Sequence, residues 1–299
     1  MTVTSRDEYL LRFARVLAHV DANLDGELSV ETLSGVAAFS KFHFHRQFSA
    51  LFGLGVYEYV QLTRLKRAAY QLAFRDTQSV LEIALDAGYE SSEAFARAFK
   101  KRIGQTPSDF RKQPEWSTWQ AVSRPLEQIR RNTMSQESAT PTTNSDDVRV
   151  TTFDETRVAM LEHRGDVRTL GDSIRKFIAW RKENQVSPRN AALFNILHND
   201  PETTPPEQFA LDIAVSTRAP VTDNPYGVVA GTIPGGRCAV LRFTGSDDGL
   251  GARIKRLYAE WLPASGHEPR DYPPFVQRVR FFPDVPESEA VTDVFLPLK

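Results

Sequence analysis

The segment from Phe39 to Gly53, FSKFHFHRQFSALFG, sets two histidines and an arginine among phenylalanines. Imidazole and guanidinium groups can bind a metal or donate hydrogen bonds to nucleic-acid bases and phosphates. Metal ligands on one helix need a spacing of three or four residues, whereas His43 and His45 are two apart. We therefore expect no metal here, and nothing elsewhere in the sequence indicates a cofactor.

Helical spacing divides this segment into two faces. In a helix from Ser40 to Phe52, Phe44, Phe48 and Leu51 stand at i, i+4 and i+7 and are expected to be buried. The opposite face carries Phe42, His45, Arg46 and Ser49. One interpretation is a solvated edge with a lone exposed aromatic. The other is a surface on which arginine donates to guanine or phosphate and phenylalanine touches thymine methyls.

The residues before this helix favour the second interpretation. Ser29 has the features of a helix N-cap, with Glu31 in the first turn, and a short helix to about residue 36 is followed by a tight turn to Ser40. A short helix, a tight turn and a second helix form the helix-turn-helix plan.

The first half of the chain is internally duplicated. Residues 29–53 align with residues 79–104, so that Arg46 falls on Arg97. The second copy predicts a helix capped at Ser91 or Ser92, with Ser92, Glu93, Arg97 and Lys100 on its outer face. Residues 56–74 read as a long helical spacer. Two reading helices in successive major-groove faces would lie about one DNA turn apart, ~34 Å.

The second half carries a different duplication. HRGDVRTLGDSIRKFIAW, residues 163–180, matches FTGSDDGLGARIKRLYAE, residues 243–260. Each copy reads as a strand, a helix and two strands, and a cleft between the copies is a natural ligand site. Residues 132–147 are polar and rich in Ser, Thr, Asn and Asp, which predicts a linker between the halves.

Composition places broad limits on the chain. Its 299 residues are enough for about two domains, and a net charge of −1 neither requires nor excludes a nucleic-acid partner. The single cysteine, Cys238, cannot form an intrachain disulfide. The amino terminus is polar, and no apolar run has transmembrane length, so we expect a cytoplasmic protein without a membrane partner.

Residues 29–111 resemble the double helix-turn-helix of the AraC/XylS transcription regulators. The closing run from Phe95 to Arg111, F-x(3)-F-x(4)-G-x(2)-P-x(2)-[FY]-R, is the most specific part of this resemblance. The resemblance implies contacts to double-stranded DNA from Ser40, Lys41, Phe42, His45, Arg46, Ser49, Ser92, Glu93, Arg97, Lys100 and Lys101.

Residues 148–299 resemble the GyrI-like small-molecule-binding domain in segments such as VAMLEHRGD, HNDPETTPPEQFALDIAV and TIPGGRCAVLRFTG. In this family the cleft between the repeats is aromatic-walled and often holds a glutamate that attracts cations. Here the corresponding strand, PPFVQRV, has Val276 and Gln277 near that place, so neutral ligands are as well suited as cations. The candidate effector-binding residues are Phe177, Trp180, Phe194, Tyr258, Trp261, Phe275, Gln277 and Phe282.

The sequence thus predicts a multi-domain protein. An all-α double helix-turn-helix domain spans residues 1–115, a partly helical linker spans 116–147, and an α+β domain of two strand-helix-strand-strand repeats spans 148–299. We expect a transcription regulator, not an enzyme, that senses a small amphipathic or aromatic molecule. We also expect it to meet RNA polymerase and to be a monomer or weak dimer. The alternatives are a GyrI-like hydrolase fused to a DNA-binding domain and a protein-interaction module without a ligand.

Overall fold

A computed structural model describes residues 5–137 and 148–299. Of the linker predicted over residues 116–147, residues 116–137 form one helix, whereas residues 138–147 lie outside the described ranges. The chain divides into two compact units. Unit 1 consists of Met1–Thr142 and Phe282–Glu289, and unit 2 consists of Thr143–Phe281 and Ala290–Lys299.

Unit 1 is helical. Its helices are α1 (Ser5–Ala22), α2 (Val30–Val36), α3 (Lys41–Phe52), α4 (Val56–Phe74), α5 (Val80–Asp86), α6 (Ser92–Ile103), α7 (Pro107–Lys112) and α8 (Trp116–Glu137). Serine N-caps begin α2 and α5, and of these Ser29 was predicted from the sequence, whereas the predicted cap Ser40 forms no side-chain cap hydrogen bond. The Ser29 hydroxyl accepts from the Thr32 N–H at 3.1 Å, and Ser79 forms a capping box with Glu82.

Two apolar cores lie along α4. Its first half, with Tyr59 fully buried, packs with α1, α2 and α3, and its second half, with Leu72, packs with α5, α6 and α7. Helix α8 contributes to both cores through Leu126 and Trp119 and contains Pro125 within its helical span. The predicted spacer helix therefore has a second role, because it supplies apolar side chains to both helix-turn-helix motifs.

The tight turn of each helix-turn-helix contains a residue in the left-handed region. In the second copy this residue is Gly88 with φ 79°, and in the first copy it is Ala38 with φ 54°. Both backbone N–H groups donate to equivalent carbonyls, those of Leu85 and Gly35. Glycine adopts this conformation at no steric cost, whereas alanine is strained in it.

Gly88→Ala is expected to destabilise unit 1 by about 1–2 kcal/mol, because a Cβ in left-handed backbone is strained. The added Cβ would also lie 2.7 Å from the Arg64 Nη1 atom, which would have to move. Chemical denaturation of the full chain measures the change.

Gly35→Ala is the matched control for this substitution. Gly35 lies within α2, and a Cβ there would meet nothing within 4 Å, so alanine should stabilise by about 0.5–1 kcal/mol. Equal effects of the two substitutions would contradict the conformational explanation.

Unit 2 is an eight-stranded antiparallel sheet with helices. Its strands are β1 (Val148–Phe153), β2 (Thr156–Arg164), β3 (Leu193–Leu197), β4 (Ala210–Ser216), β5 (Val229–Ile233), β6 (Gly236–Thr244), β7 (Phe275–Arg280) and β8 (Val291–Pro297). Its helices are α9 (Leu170–Glu183), α10 (Leu250–Arg256) and α11 (Leu262–Ser265), and a π-helical segment (Leu257–Trp261) joins the last two.

The strand order β1-β6-β8-β7-β3-β4-β2-β5 reflects the duplication. Exchanging the two copies, so that β1 becomes β5 and β2 becomes β6, reproduces the same order read backwards. The predicted strand-helix-strand-strand repeats are confirmed as β2-α9-β3-β4 and β6-α10-β7-β8. The repeat prediction did not include β1 and β5. Each of these strands pairs with the other copy, β1 with β6 and β5 with β2, which joins the repeats.

The sheet is strongly curled. Strands β1 and β7 are three places apart, which in a flat sheet means about 14 Å. The rings of Phe153 on β1 and Phe275 on β7 are nevertheless 4.9 Å apart. These rings lie on the side that we call the concave side. The opposite side, on which α9 and α10 pack, is called the helix side.

Candidate functional site

Helix α3 separates its residues as its spacing predicts, with one exception. Phe44 and Phe48 are fully buried, and Phe42 is 74 % exposed. Leu51 is 38 % exposed, so its assignment to the buried stripe is wrong. Phe52 takes the core position instead, with its ring 5.7 Å from that of Phe13 on α1, a helix that the sequence analysis did not assign.

The outer face of α3 offers hydrogen-bond donors and one apolar ring. Ser40, Lys41, Phe42, His45 and Arg46 are exposed, and Ser49 is half-buried. Lys41 is partly engaged, since its Nζ lies 3.3 Å from a carboxylate oxygen of Glu31. The structure therefore brings the six predicted contacts of the first motif onto one accessible surface.

Helix α6 presents an equivalent face. Ser91 is the N-cap, and its hydroxyl accepts from the Ala94 N–H at 3.2 Å. Beyond it Ser92 is half-buried, whereas Glu93, Arg97, Lys100 and Lys101 are exposed. Hydrogen bonds from its own backbone N–H and from Ser91 hold the pKa of Glu93 below its usual value. Its carboxylate is therefore charged at neutral pH and able to accept from a cytosine amine.

The two faces share one layout. Each follows a short capped helix, each ends at a glycine in the left-handed region, Gly53 or Gly104, and each carries an exposed arginine at the same place, Arg46 or Arg97. Guanidinium groups on the second helix of such a motif can donate to guanine edges or to phosphates. Unit 1 thus presents two similar surfaces suited to duplex DNA.

The predicted effector-binding residues of unit 2 do not line one surface. Phe194 and Phe275 are buried on the concave side with ring centroids 6.2 Å apart, and Gln277 pairs with Phe194 in the sheet register on the same side. Phe194 and Phe275 belong to an aromatic core that also includes Phe153 and Phe295. Contact with a ligand would require that core to open.

Four other predicted residues lie on helices. Phe177 and Trp180 of α9 are stacked at 6.1 Å and are buried against the helix side. Tyr258 and Trp261 belong to the π-helical segment and are more accessible, with Tyr258 37 % exposed. Phe282 belongs to unit 1, where its ring lies 5.1 Å from that of Tyr70.

Two polar residues on the helix side of the central strands were not among the predicted site residues. Asn195 on β3 and Arg278 on β7 are half-buried, and the Arg278 Nε donates to the Asn195 Oδ1 at 2.9 Å. A signal was present, because each alternates along its strand with a buried phenylalanine, Phe194 or Phe275. Alternation of this kind assigns polar and apolar residues to opposite faces.

Asp212 on β4 and Asp293 on β8 occupy equivalent positions of the two copies, and each pairs with an arginine. The Asp212 carboxylate accepts a hydrogen bond from Arg164 at 2.6 Å and lies 2.6 Å from the His198 ring. The Asp293 carboxylate accepts hydrogen bonds from Nε and Nη2 of Arg242, both at 2.7 Å. Both carboxylates are buried and lie on β4 and β8, the equivalent strands of the two copies. Because buried carboxylates need such partners, this repetition indicates a structural role.

Taken together, two helix-turn-helix motifs with accessible basic second helices and a duplicated α+β unit define a DNA-binding regulator with an attached sensing domain. Comparison with known proteins agrees with this class. A helix-turn-helix domain model matches residues 33–113. The chain belongs to the GyrI-like small molecule binding domain family, whose model matches residues 146–299.

Two relatives from Escherichia coli match different parts of the chain, and one solved structure covers most of it. The Escherichia coli K12 protein "Probable transcriptional regulator YgiV" is 40% identical over 153 residues, which are 51% of this chain and 96% of that protein. "Right origin-binding protein" of the same organism is 35% identical over 104 residues, 35% of this chain and 36% of that protein. The solved "EcmrR-DNA complex in EcmrR-RPo" covers 87% of this chain and 82% of that one, with 14% identity and a TM-score of 0.43.

The family matches confirm the predicted combination of an AraC-type helix-turn-helix region with a GyrI-like domain, and they identify the protein as a transcription regulator. These matches concern whole domains, so the DNA-binding and effector-binding residues stay predictions. Within residues 5–137 and 148–299, no helix is both long and apolar enough to cross a bilayer.

Proposed function

We propose that the protein reads two short elements of duplex DNA, one with α3 and one with α6, and that a small amphipathic or aromatic molecule bound by unit 2 changes this binding. One observation carries the proposal. Arg46 and Arg97 occupy equivalent exposed places on two helix-turn-helix motifs, in a chain whose other unit belongs to a small-molecule-binding family.

Both reading helices belong to one chain, so a site with two elements does not need a dimer. If the helices enter successive major-groove faces, the elements lie about 10 base pairs apart. We propose that the protein acts as a monomer or weak dimer with the domain limits given above. We further propose that it meets RNA polymerase at the promoter and is cytoplasmic.

We propose that unit 2 binds a small molecule as a sensor and does not hydrolyse it. Named transcription regulators among the relatives support this choice over the hydrolase alternative. A ligand recovered unchanged after incubation with the protein would agree with it, and a hydrolysed ligand would contradict it. A broad panel of amphipathic molecules should contain at least one that raises the melting temperature, since ligands that bind the native state stabilise it.

Selection of binding sites for the full chain from a pool of random duplex DNA tests whether the protein recognises two DNA elements. We expect enrichment of a site with two short elements about 10 base pairs apart, and we expect affinity to fall as salt rises. A single enriched element would limit base reading to one helix. If low salt yields no enriched sequence, the DNA-reading proposal fails.

A further inference from the structure

The helix side of the sheet is partly open over its central strands. Along β3, Phe194 and Ile196 face the concave side and are buried, whereas Leu193, Asn195 and Leu197 face the helix side and are half-buried. Residues on a central strand are normally covered on both faces when helices pack over them. The helices of unit 2 therefore leave this part of the sheet accessible.

Helices α9 and α10 flank this opening. Phe177 and Trp180 of α9 pack with Val215 of β4, and the Arg253 guanidinium of α10 lies 5.8 Å from the ring centre of Phe243 on β6. Strands β3 and β7 occupy the two central places of the sheet, between those two positions. The accessible strip is thus a groove between the helices, here called the central groove.

One row of paired residues crosses the sheet on its helix side. It runs through Phe243, Thr292, Arg278, Leu193 and Val215. Arg278 is the middle residue of this row, so its position in the groove follows from strand pairing. Its side chain is 23% exposed, and its neighbour Val276, on the same side, is buried and uncharged. The groove therefore has a cation near its centre.

Neighbouring side chains fix the position of the Arg278 guanidinium. Its Nε donates to Asn195 at 2.9 Å, and its Nη1 lies 3.4 Å from the Thr292 hydroxyl. Nη1 also forms an ion pair with Asp247, whose side chain is 62% exposed. An exposed carboxylate loses little hydration in such a pair and is weakly held, so another anion can replace it.

We propose that the central groove binds an amphipathic molecule with a flat apolar body and an anionic group, a carboxylate or its equivalent, that pairs with Arg278. The inference rests on the proposed sensing function and names its ligand class. The Asp247 carboxylate pairs with the Arg278 guanidinium, and the anionic group of the ligand displaces this carboxylate into water. The same guanidinium disfavours a cation of similar shape by like-charge repulsion. The half-buried Leu193, which pairs with Arg278 in the sheet, supplies apolar surface.

Three probes with one ring system and different charges test this proposal on the full chain. They are naphthoate, naphthylmethanol and naphthylmethylammonium, and calorimetry measures each affinity. We expect naphthoate to bind about tenfold more tightly than naphthylmethanol, since a charge-assisted hydrogen bond contributes that much. Naphthylmethylammonium should bind more weakly than either.

Two variants separate the groove from nonspecific binding. Arg278→Gln should lower naphthoate affinity about tenfold and leave naphthylmethanol affinity nearly unchanged. Asp247→Asn should raise naphthoate affinity by about threefold or more, because it removes the competing carboxylate and keeps the guanidinium. The second variant keeps the test decisive if the first one folds poorly.

Two results would overturn the proposal and leave sensing itself intact. One is tighter binding of the cation than of naphthoate, and the other is naphthoate binding that neither variant changes. Failure of all three probes would also overturn it as stated. The wider amphiphile panel would then decide separately whether unit 2 senses any small molecule.

Discussion

Glu287→Ala is expected to destabilise unit 1 by about 3–5 kcal/mol, the largest effect predicted for a single substitution in this protein. Glu287 is buried in unit 1, where its carboxylate lies 2.7 Å from the Lys66 Nζ and also pairs with Arg130. Arg130 in turn donates to Asp21 at 2.7 Å. Removing the glutamate takes away a carboxylate that two buried cations share.

The size of this effect follows from desolvation. The side chains of Lys66 and Arg130 are 7% and 4% exposed, so water cannot replace a lost partner. A buried charge without its counter-ion costs several kcal/mol, whereas an intact pair contributes little net stability. The neighbouring Tyr59 provides no counter-charge, because burial raises its pKa to about 12 and it stays protonated.

Denaturant unfolding of the full chain, followed by tryptophan fluorescence, measures the loss. Trp116 and Trp119 report on unit 1, while Trp180 and Trp261 report on unit 2. Asp284→Ala is the matched control in the same segment, since Asp284 is 51% exposed and pairs with Arg75 at the surface. It should cost less than about 1 kcal/mol. Similar losses for the two variants would show that Glu287 is not a buried ion-pair partner.

Arg46→Ala and Arg97→Ala are each expected to weaken binding to the selected DNA site by about 1–3 kcal/mol. If each arginine contacts a base, its loss also relaxes sequence preference at its own element and leaves the other element unchanged. A phosphate contact would instead weaken binding to all sequences alike and reduce the salt dependence. Binding titrations on the site and on variants mutated in one element distinguish the two cases.

Arg15→Ala controls for the general loss of positive charge. Arg15 is an exposed arginine of α1, outside both helix-turn-helix motifs, and its removal changes the net charge equally. We expect it to alter affinity only slightly. If Arg15→Ala weakens binding as much as Arg46→Ala, long-range electrostatics and not helix α3 accounts for the contribution of Arg46.

Local sequence signals were sufficient for much of unit 1. The predicted spacer helix over 56–74 is observed as Val56–Phe74, and Ser29 caps α2 as expected. These features depend on contacts within a few residues, between a hydroxyl and a nearby N–H or between apolar side chains one turn apart. Leu51 was misassigned because its spacing fits the buried stripe, whereas the position of α1 decides which side chain the core accepts.

The remaining features of the fold and of the candidate site depend on contacts between segments that are distant in sequence. The sequence by itself determined that the chain holds two duplications, that Phe42, Arg46 and Arg97 face outward on α3 and α6, and which family each half resembles. The tertiary structure decided that Phe194 and Phe275 lie in an aromatic core, that Arg278 lies in the central groove, and that Glu287 pairs with Lys66 and Arg130. Helix faces follow from the periodicity of neighbouring residues, but the surroundings of a strand residue or a buried charge depend on segments distant in sequence.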